Sequence, residues 1–391
     1  MRNKASVMYF LFAIITSLVG FNWFMWGPIL GPIVETQYRV SGFVVTLFIS
    51  AVPLMLVLLS YFAGNLADID PKRTTIISAA ILGITSLIKP FFSFNFFALL
   101  LVHLVFTLSA AFCFTSWAPL TYRLFESEKS SSRVALFTAF LTAGQILAFL
   151  ITYPMVSRTS LFTTLLIYGL VTFFICVIYI LIAIKVRFPY SVEITKRPTL
   201  LEGAKIIFSE HSIKPLAIIC FLDIGVFSWL AGWYPKMLTR FKGINPSQAG
   251  IVNAMILVGC LIGAMIIPNL SHKLKKVKVF LLVLPVICIL MFVLIPPLSS
   301  YGILLIDGVI LGFALFPMYP LGVHLPSAFN KIGMKYAGVG SGIILIAANL
   351  GGFILPELGV LSEGLTSSII MFGILPMAFM FVSALFFKDP Y

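Results

Sequence analysis

Asp223 is the residue in this sequence that most needs a chemical explanation. It lies eight residues into an unbroken apolar run, 215–238, about 12 Å along a helix that rises 1.5 Å per residue. An ionisable side chain at such a depth in hydrocarbon costs roughly 2.5–3.5 kcal/mol on insertion scales. A carboxylate kept there can take up a proton or bind a cationic group. It can also remain protonated and hydrogen-bonded as a packing element, with Asn22 as a partner. Its helix face continues through Phe227, Leu230 and Tyr234, at spacings of 4, 3 and 4. His103 and Asp307 are each expected about 10 Å from the outer surface of the membrane, in runs 96–122 and 302–325. As a pair they could form a gate or a proton site; separately, each could satisfy polar groups in its own half. Gln145 and Asn349 are amides inside apolar runs, able to bind a solute or to bridge helices. Trp23 and Trp26, with Trp229, Trp233 and Tyr234, suit an interfacial aromatic belt. They also suit an aromatic box for a cation, which Asp223 would complement. Lys89, near the end of a run, is expected to snorkel to the interface. Arg123, ending another, is expected in solvent or against lipid.

The elements that must position these residues follow from composition. Of 391 residues, 60% are hydrophobic and 10% charged, against about 25% charged in soluble domains. Lipid is the solvent for such a chain, and in lipid only helices or closed barrels satisfy the backbone. The apolar runs are continuous and about 20 residues long, so they are helices. Twelve are expected, near 6–34, 42–67, 74–93, 96–122, 134–157, 160–184, 215–238, 248–270, 277–298, 302–325, 337–360 and 367–387. The fold class is therefore all-α integral membrane.

The net charge of +13 sits in short loops rather than in a basic domain, which excludes nucleic acid as a partner. Twenty of the 26 Lys and Arg fall on the side that carries both termini. Arg39, Arg158, Lys236, Arg240 and Lys242 fall on the other, and Lys89 lies within a span. That bias places both termini in the cytoplasm. The first apolar run lacks a short core followed by a cleavage site, so it is retained as a span. The cysteines are single and inside apolar runs, with no CxxC, and read as packing residues. Gly259-x-x-x-Gly263, Gly308-x-x-x-Gly312 and Gly338-x-x-x-Gly342 read as close helix contacts.

A repeat is visible at an offset of 204. Gly64-Asn65-Leu66-Ala67-Asp68 aligns with Pro268-Asn269-Leu270-Ser271-His272, Gln145 with Asn349, and His103 with Asp307. The tryptophans of spans one and seven align at a shift of 206 to 207. A duplication of six spans predicts an N-terminal six-helix bundle over 1–184, a cytoplasmic linker over 185–214 and a C-terminal bundle over 215–391. Within the linker, 200–208 is either a helix along the membrane surface or a polar tether.

Gly64-Asn65-Leu66-Ala67-Asp68-Ile69-Asp70-Pro71-Lys72-Arg73 resembles the loop signature G-x-L-A-D-x-x-G-[RK]-[RK] of the major facilitator superfamily. The resemblance implies two pseudo-symmetric six-helix bundles that expose a midplane cavity alternately to each side. It assigns close helix contact to Gly64, and a cytoplasmic latch to Asp68, Lys72 and Arg73. Ile69 and Pro71 depart from the signature, which implies a latch weaker in charge. Spans one and eleven are similar to those of the nitrate/nitrite and cyanate porters, in Asn22 to Pro32 and in Ala337 to Gly352. Ser60 and Ala264 stand where nitrate porters place arginines, so recognition of a planar oxyanion is missing.

The function implied is secondary active transport of a small organic solute, coupled to protons through Asp223, Asp307 and His103. Facilitative uniport is the alternative if those groups are structural, and a non-transporting sensor or receptor stands third. No nucleotide loop, metal cluster or hydrolase motif appears, so no cofactor, no metal and no enzyme activity are expected. The expected partners are a small-molecule substrate, protons and the lipid bilayer, for a monomer in the cell membrane.

Overall fold

A computed structural model describes residues 2–125, 130–190, 200–362 and 364–390. Twelve helices among these residues are long and apolar enough to cross a membrane. Spans one to six are Lys4–Tyr38, Gly42–Ile69, Pro71–Phe92, Phe96–Leu124, Arg133–Arg158 and Leu161–Lys185. Spans seven to twelve are Ile213–Lys242, Pro246–Leu274, Val277–Leu294, Tyr301–Ala328, Tyr336–Leu361 and Leu365–Leu385. The chain divides into two compact units, one of Met1–Ser41 with Leu47–Thr195, the other of Gly42–Thr46 with Lys196–Tyr391.

Prolines shape several spans. Pro53, Pro119, Pro154, Pro235, Pro268, Pro285 and Pro356 lie inside helices; the Ile49 carbonyl that Pro53 frees accepts from the Trp23 indole N–H at 2.7 Å. Three spans are interrupted among the described residues, one, ten and twelve, the last by a π turn over Ile370–Ile374. In span one the α-helix Arg2–Phe24 gives way to a tight turn over Gly27–Ile29 and a wide π turn over Leu30–Glu35. In span ten, Tyr301–Leu315 stops before Pro317, and a shorter helix, Met318–His324, resumes. Proline has no N–H and its ring crowds the preceding turn, which accounts for the second break.

Within each unit, glycines set the closest helix contacts, and they do so in the same pattern. In the first unit, a Cβ on Gly144 of span five would lie 1.8 Å from the Ser17 carbonyl oxygen of span one. In the second, a Cβ on Gly351 of span eleven would lie 1.8 Å from the Phe221 carbonyl oxygen of span seven. Only glycine permits either approach. Spans eight and ten meet the same way. A Cβ on Gly259 would lie 2.1 Å from the Val309 oxygen, and one on Gly312 1.9 Å from the Ile256 oxygen. The two glycine pairs expected to allow close contact are thus two sides of one interface. The third pair is not: a Cβ on Gly338 or Gly342 would meet nothing within 4 Å. Gly340, between them, packs on Pro326 and Ile207 instead.

Of the linker expected over 185–214, residues 191–199 lie outside the described residues. Its later part is a helix, Leu200–Ser209, whose Ile207 is fully buried. Gly203 lies against Val339 and Ile207 against Gly340, so this helix rests on the start of span eleven rather than running as a tether.

Candidate functional site

In the first unit Asn22, Ser86 and Lys89 form a hydrogen-bonded network. The Asn22 side-chain oxygen, on span one, accepts from Ser86 Oγ at 3.0 Å and from Lys89 Nζ at 3.2 Å, both on span three. Asn22 Nδ2 donates to the Leu18 carbonyl at 3.1 Å. These bonds use the Asn22 amide within its own unit. Lys89 does not snorkel. It is 1% exposed, and its ammonium sits 4.3 Å from the centre of the Phe106 ring. Depth along the run suggested the interface, but the face of the turn that carries Lys89 points into the bundle.

His103 is fully buried beside this network. Its Nδ1 accepts from the Trp26 indole N–H at 3.2 Å, and its Nε2 lies 2.8 Å from the Phe48 carbonyl. An indole only donates and a carbonyl only accepts, so the ring carries its hydrogen on Nε2 and has no free nitrogen. Trp23 donates to the Ile49 carbonyl at 2.7 Å. Gln145 is 3% exposed and makes no hydrogen bond among the described residues.

The second unit holds two buried acids whose carboxyl oxygens lack partners among the described residues. Asp223 is fully buried in span seven, facing the break in span ten. The peptide N–H of Tyr319 is turned towards it, yet that N–H is held by the Phe316 carbonyl at 3.3 Å. Neither Asp223 oxygen makes a hydrogen bond among the described residues. The other groups within its electrostatic reach are Cys220, Cys260, Cys288 and the Tyr319 hydroxyl.

Eleven residues further along span seven, roughly 16 Å away, a second set begins. Tyr234, 1% exposed, has an unpartnered hydroxyl within the field of Asp307. Both Asp307 oxygens lack a donor. Asn253 of span eight donates Nδ2 to the Leu230 carbonyl at 3.1 Å and leaves Oδ1 unpartnered. His103 and Asp307 occupy equivalent places in the repeat but opposite situations, one saturated and one bare. Asn349 is half-buried and donates to the Leu345 carbonyl on its own helix at 2.8 Å.

Sequence reasoning missed Asn253 and Glu357. Glu357 is buried in the second unit, where its carboxylate accepts from Thr46 Oγ1 at 2.8 Å. An acid four residues before the end of span eleven carried the same signal as Asp307. The aromatic residues of spans one and seven are buried rather than arranged as a belt. Trp233 donates to the Pro356 carbonyl at 2.8 Å, and its ring already holds Lys236 Nζ at 4.7 Å. Trp229 stacks near Phe372 with its N–H unpartnered.

At the loop between spans two and three, Asp70 Oδ1 accepts from the Arg73 N–H at 3.0 Å, and Pro71 opens span three. The proline in place of the usual glycine therefore begins a helix, where its missing N–H costs nothing. Lys72 Nζ donates to the Val186 carbonyl at the end of span six, 2.8 Å away. The half-buried Asp68 offers its backbone oxygen to Arg123 Nη2 at 3.5 Å, so Arg123 is tied to the protein rather than to lipid. Arg73 is exposed. A Cβ on Gly64 would meet nothing within 4 Å.

Comparison with known proteins agrees with this architecture. The chain is 26% identical over 319 residues to a TsgA homologue of Buchnera aphidicola subsp. Schizaphis graminum, covering 79% of this chain and 76% of that one. It is 25% identical over 193 residues to an uncharacterised protein of Archaeoglobus fulgidus, covering 49% of this chain and 84% of that one. Among solved structures, a bacterial homologue of the human lysosomal transporter Spinster superposes with a TM-score of 0.75 at 16% identity, covering 98% of both chains. The nucleoside transporter NupG superposes with a TM-score of 0.73 at 15% identity, covering 97% of this chain and 99% of that one. At such identities the likeness is one of fold. The likeness to nitrate and cyanate porters has no counterpart among these relatives. Residues 12–356 match the family model of the Major Facilitator Superfamily. With twelve membrane-length helices and these relatives, the chain belongs to that superfamily, as a multi-pass membrane transporter and not an enzyme.

Proposed function

We propose that the chain moves a small organic solute by alternating access, with uptake of a proton at a buried carboxylate coupled to the movement and both termini in the cytoplasm. One observation carries this reading: Asp223 lies in a span, fully buried, with no donor to either oxygen among the described residues. A bare carboxylate in a low-dielectric interior is costly. It persists if it is protonated there and releases its proton when its surroundings change, which is what coupling requires. The break in span ten beside it supplies a hinge for such a change. Asp307 is a second bare acid. His103 leaves the set of carriers, since both its ring nitrogens are engaged.

The experiment is flux in proteoliposomes holding a pH-sensitive dye, challenged with nucleosides, sugars, amino acids and organic acids. Nucleosides come first because a fold neighbour is a nucleoside transporter. The expected result is that one class acidifies the lumen and accumulates under an inward proton gradient. Asp223→Asn should lose accumulation while solute exchange persists. Equilibration without acidification would establish uniport instead. Accumulation with unaltered pH dependence in Asp223→Asn would remove Asp223 as the carrier.

A further inference from the structure

The set around Asp307 has a different chemistry from Asp223. Three side chains from three helices contribute: Tyr234 of span seven, Asn253 of span eight and Asp307 of span ten. All are more than nine-tenths buried, at 1%, 3% and 4% exposed. Their placement is tied together by contacts on either side. Asn253 reaches the Leu230 carbonyl, one helical turn before Tyr234. Gly308, next to Asp307, faces the carbonyl of Val252, next to Asn253, with a would-be Cβ 3.2 Å from it.

The unpartnered atoms are all oxygens: two from the Asp307 carboxyl, one from Asn253 and one from Tyr234. No hydrogen bond joins any two of the three side chains. Four buried oxygens on three packed helices thus have one hydroxyl hydrogen among them, and they do not bond to one another. What lone pairs without donors attract is a hard cation, and oxygen-only donors suit alkali and alkaline-earth ions. One carboxylate balances a single positive charge. A divalent ion would stay half-neutralised, and no group of three His, Cys, Asp or Glu among the described residues is placed to hold a metal.

We propose that Asp307, Tyr234 and Asn253 form a sodium site, separate from Asp223 and about three helical turns from Tyr234 to that acid. It rests on the ion-coupled reading only in treating a bare buried acid as an ion site, and it names a different ion at a different place. Asn253 is both the anchor and the ligand: its amide nitrogen is fixed on Leu230, which commits its oxygen to the ion. Water or solute oxygen completes the shell.

The test is binding rather than transport. The purified protein in detergent is heated in equal concentrations of sodium, potassium or choline chloride, and equilibrium binding of radioactive sodium is measured alongside. Sodium should raise the melting midpoint by about 3 °C over choline, as a ligand that binds only the folded form does. Asp307→Asn should abolish sodium binding, and Asn253→Ala and Tyr234→Phe should each weaken it by about tenfold. Asp223→Asn should bind sodium as the wild type does, so loss of proton coupling and loss of the sodium site are separable. Should Asp307→Asn fail to fold, the other two variants and the wild-type salt series still decide. Equal midpoints in all three salts with no bound sodium would overturn the proposal. So would sodium binding that survives in all three variants of the site. A midpoint that responds to pH but not to sodium would assign the site to a proton and equally overturn it.

Discussion

The indole N–H of Trp26 and Nδ1 of His103 are 3.2 Å apart, and this single contact settles how the histidine is protonated. Because tryptophan can only donate, Nδ1 must accept, and the remaining hydrogen on Nε2 points at the Phe48 carbonyl 2.8 Å away. Adding a proton to Nδ1 would break the first bond and place a cation near Lys89.

His103→Ala should therefore lower stability by roughly 2–5 kcal/mol, from lost packing and an orphaned indole and carbonyl. Thermal unfolding in detergent measures it. The pH profile of residual transport should match that of the wild type; a shifted profile would restore His103 as a titrating group.

Lys89→Met should unfold no earlier than the wild type. The methionine fills the same space and removes a buried charge that, among the described residues, is answered by Asn22 and the Phe106 ring. Lys89→Ala should lose stability on the scale of a core truncation, roughly 2–5 kcal/mol. A methionine variant as weak as the alanine one would mean that the ammonium, not the volume, holds spans one and three together.

Two glycines in span eleven should respond in opposite directions. Gly351→Ala forces a methyl group into the Phe221 carbonyl and should cost about 1–3 kcal/mol or more. Gly342→Ala meets open space in a helix and should be neutral or stabilising by about 0.5–1 kcal/mol. Melting temperatures of the two variants side by side test this.

At the loop between spans two and three, Asp70→Ala removes a helix cap and should cost about 1 kcal/mol. Lys72→Met removes the bond to Val186 and should cost a similar amount, about 1 kcal/mol. The two act on different partners, so the double variant should lose about the sum.

The twelve spans were legible because each is a long apolar run, and lipid leaves the backbone no alternative to a helix. Membership of the superfamily was legible in one loop and one repeat. What a run of apolar residues does not encode is the direction a polar side chain faces. Lys89 was expected at the interface and is buried instead, because its partner Asn22 lies 67 residues away in the chain and leaves no mark beside it. The repeat paired His103 with Asp307, yet their environments diverge: Trp26 and Phe48 answer the histidine, and nothing among the described residues answers the acid. Asn253 escaped notice because a single amide in span eight becomes informative only beside Leu230 and Asp307. The break in span ten was written in Pro317, though the run is apolar enough to pass as one helix.

The five cysteines, Cys113, Cys176, Cys220, Cys260 and Cys288, are all free and all buried. A membrane-impermeant maleimide thus finds no target on the folded native chain. Reporter thiols introduced singly at loop positions would give their signal over a silent background, without first stripping the native sulfurs from the helix interiors they fill.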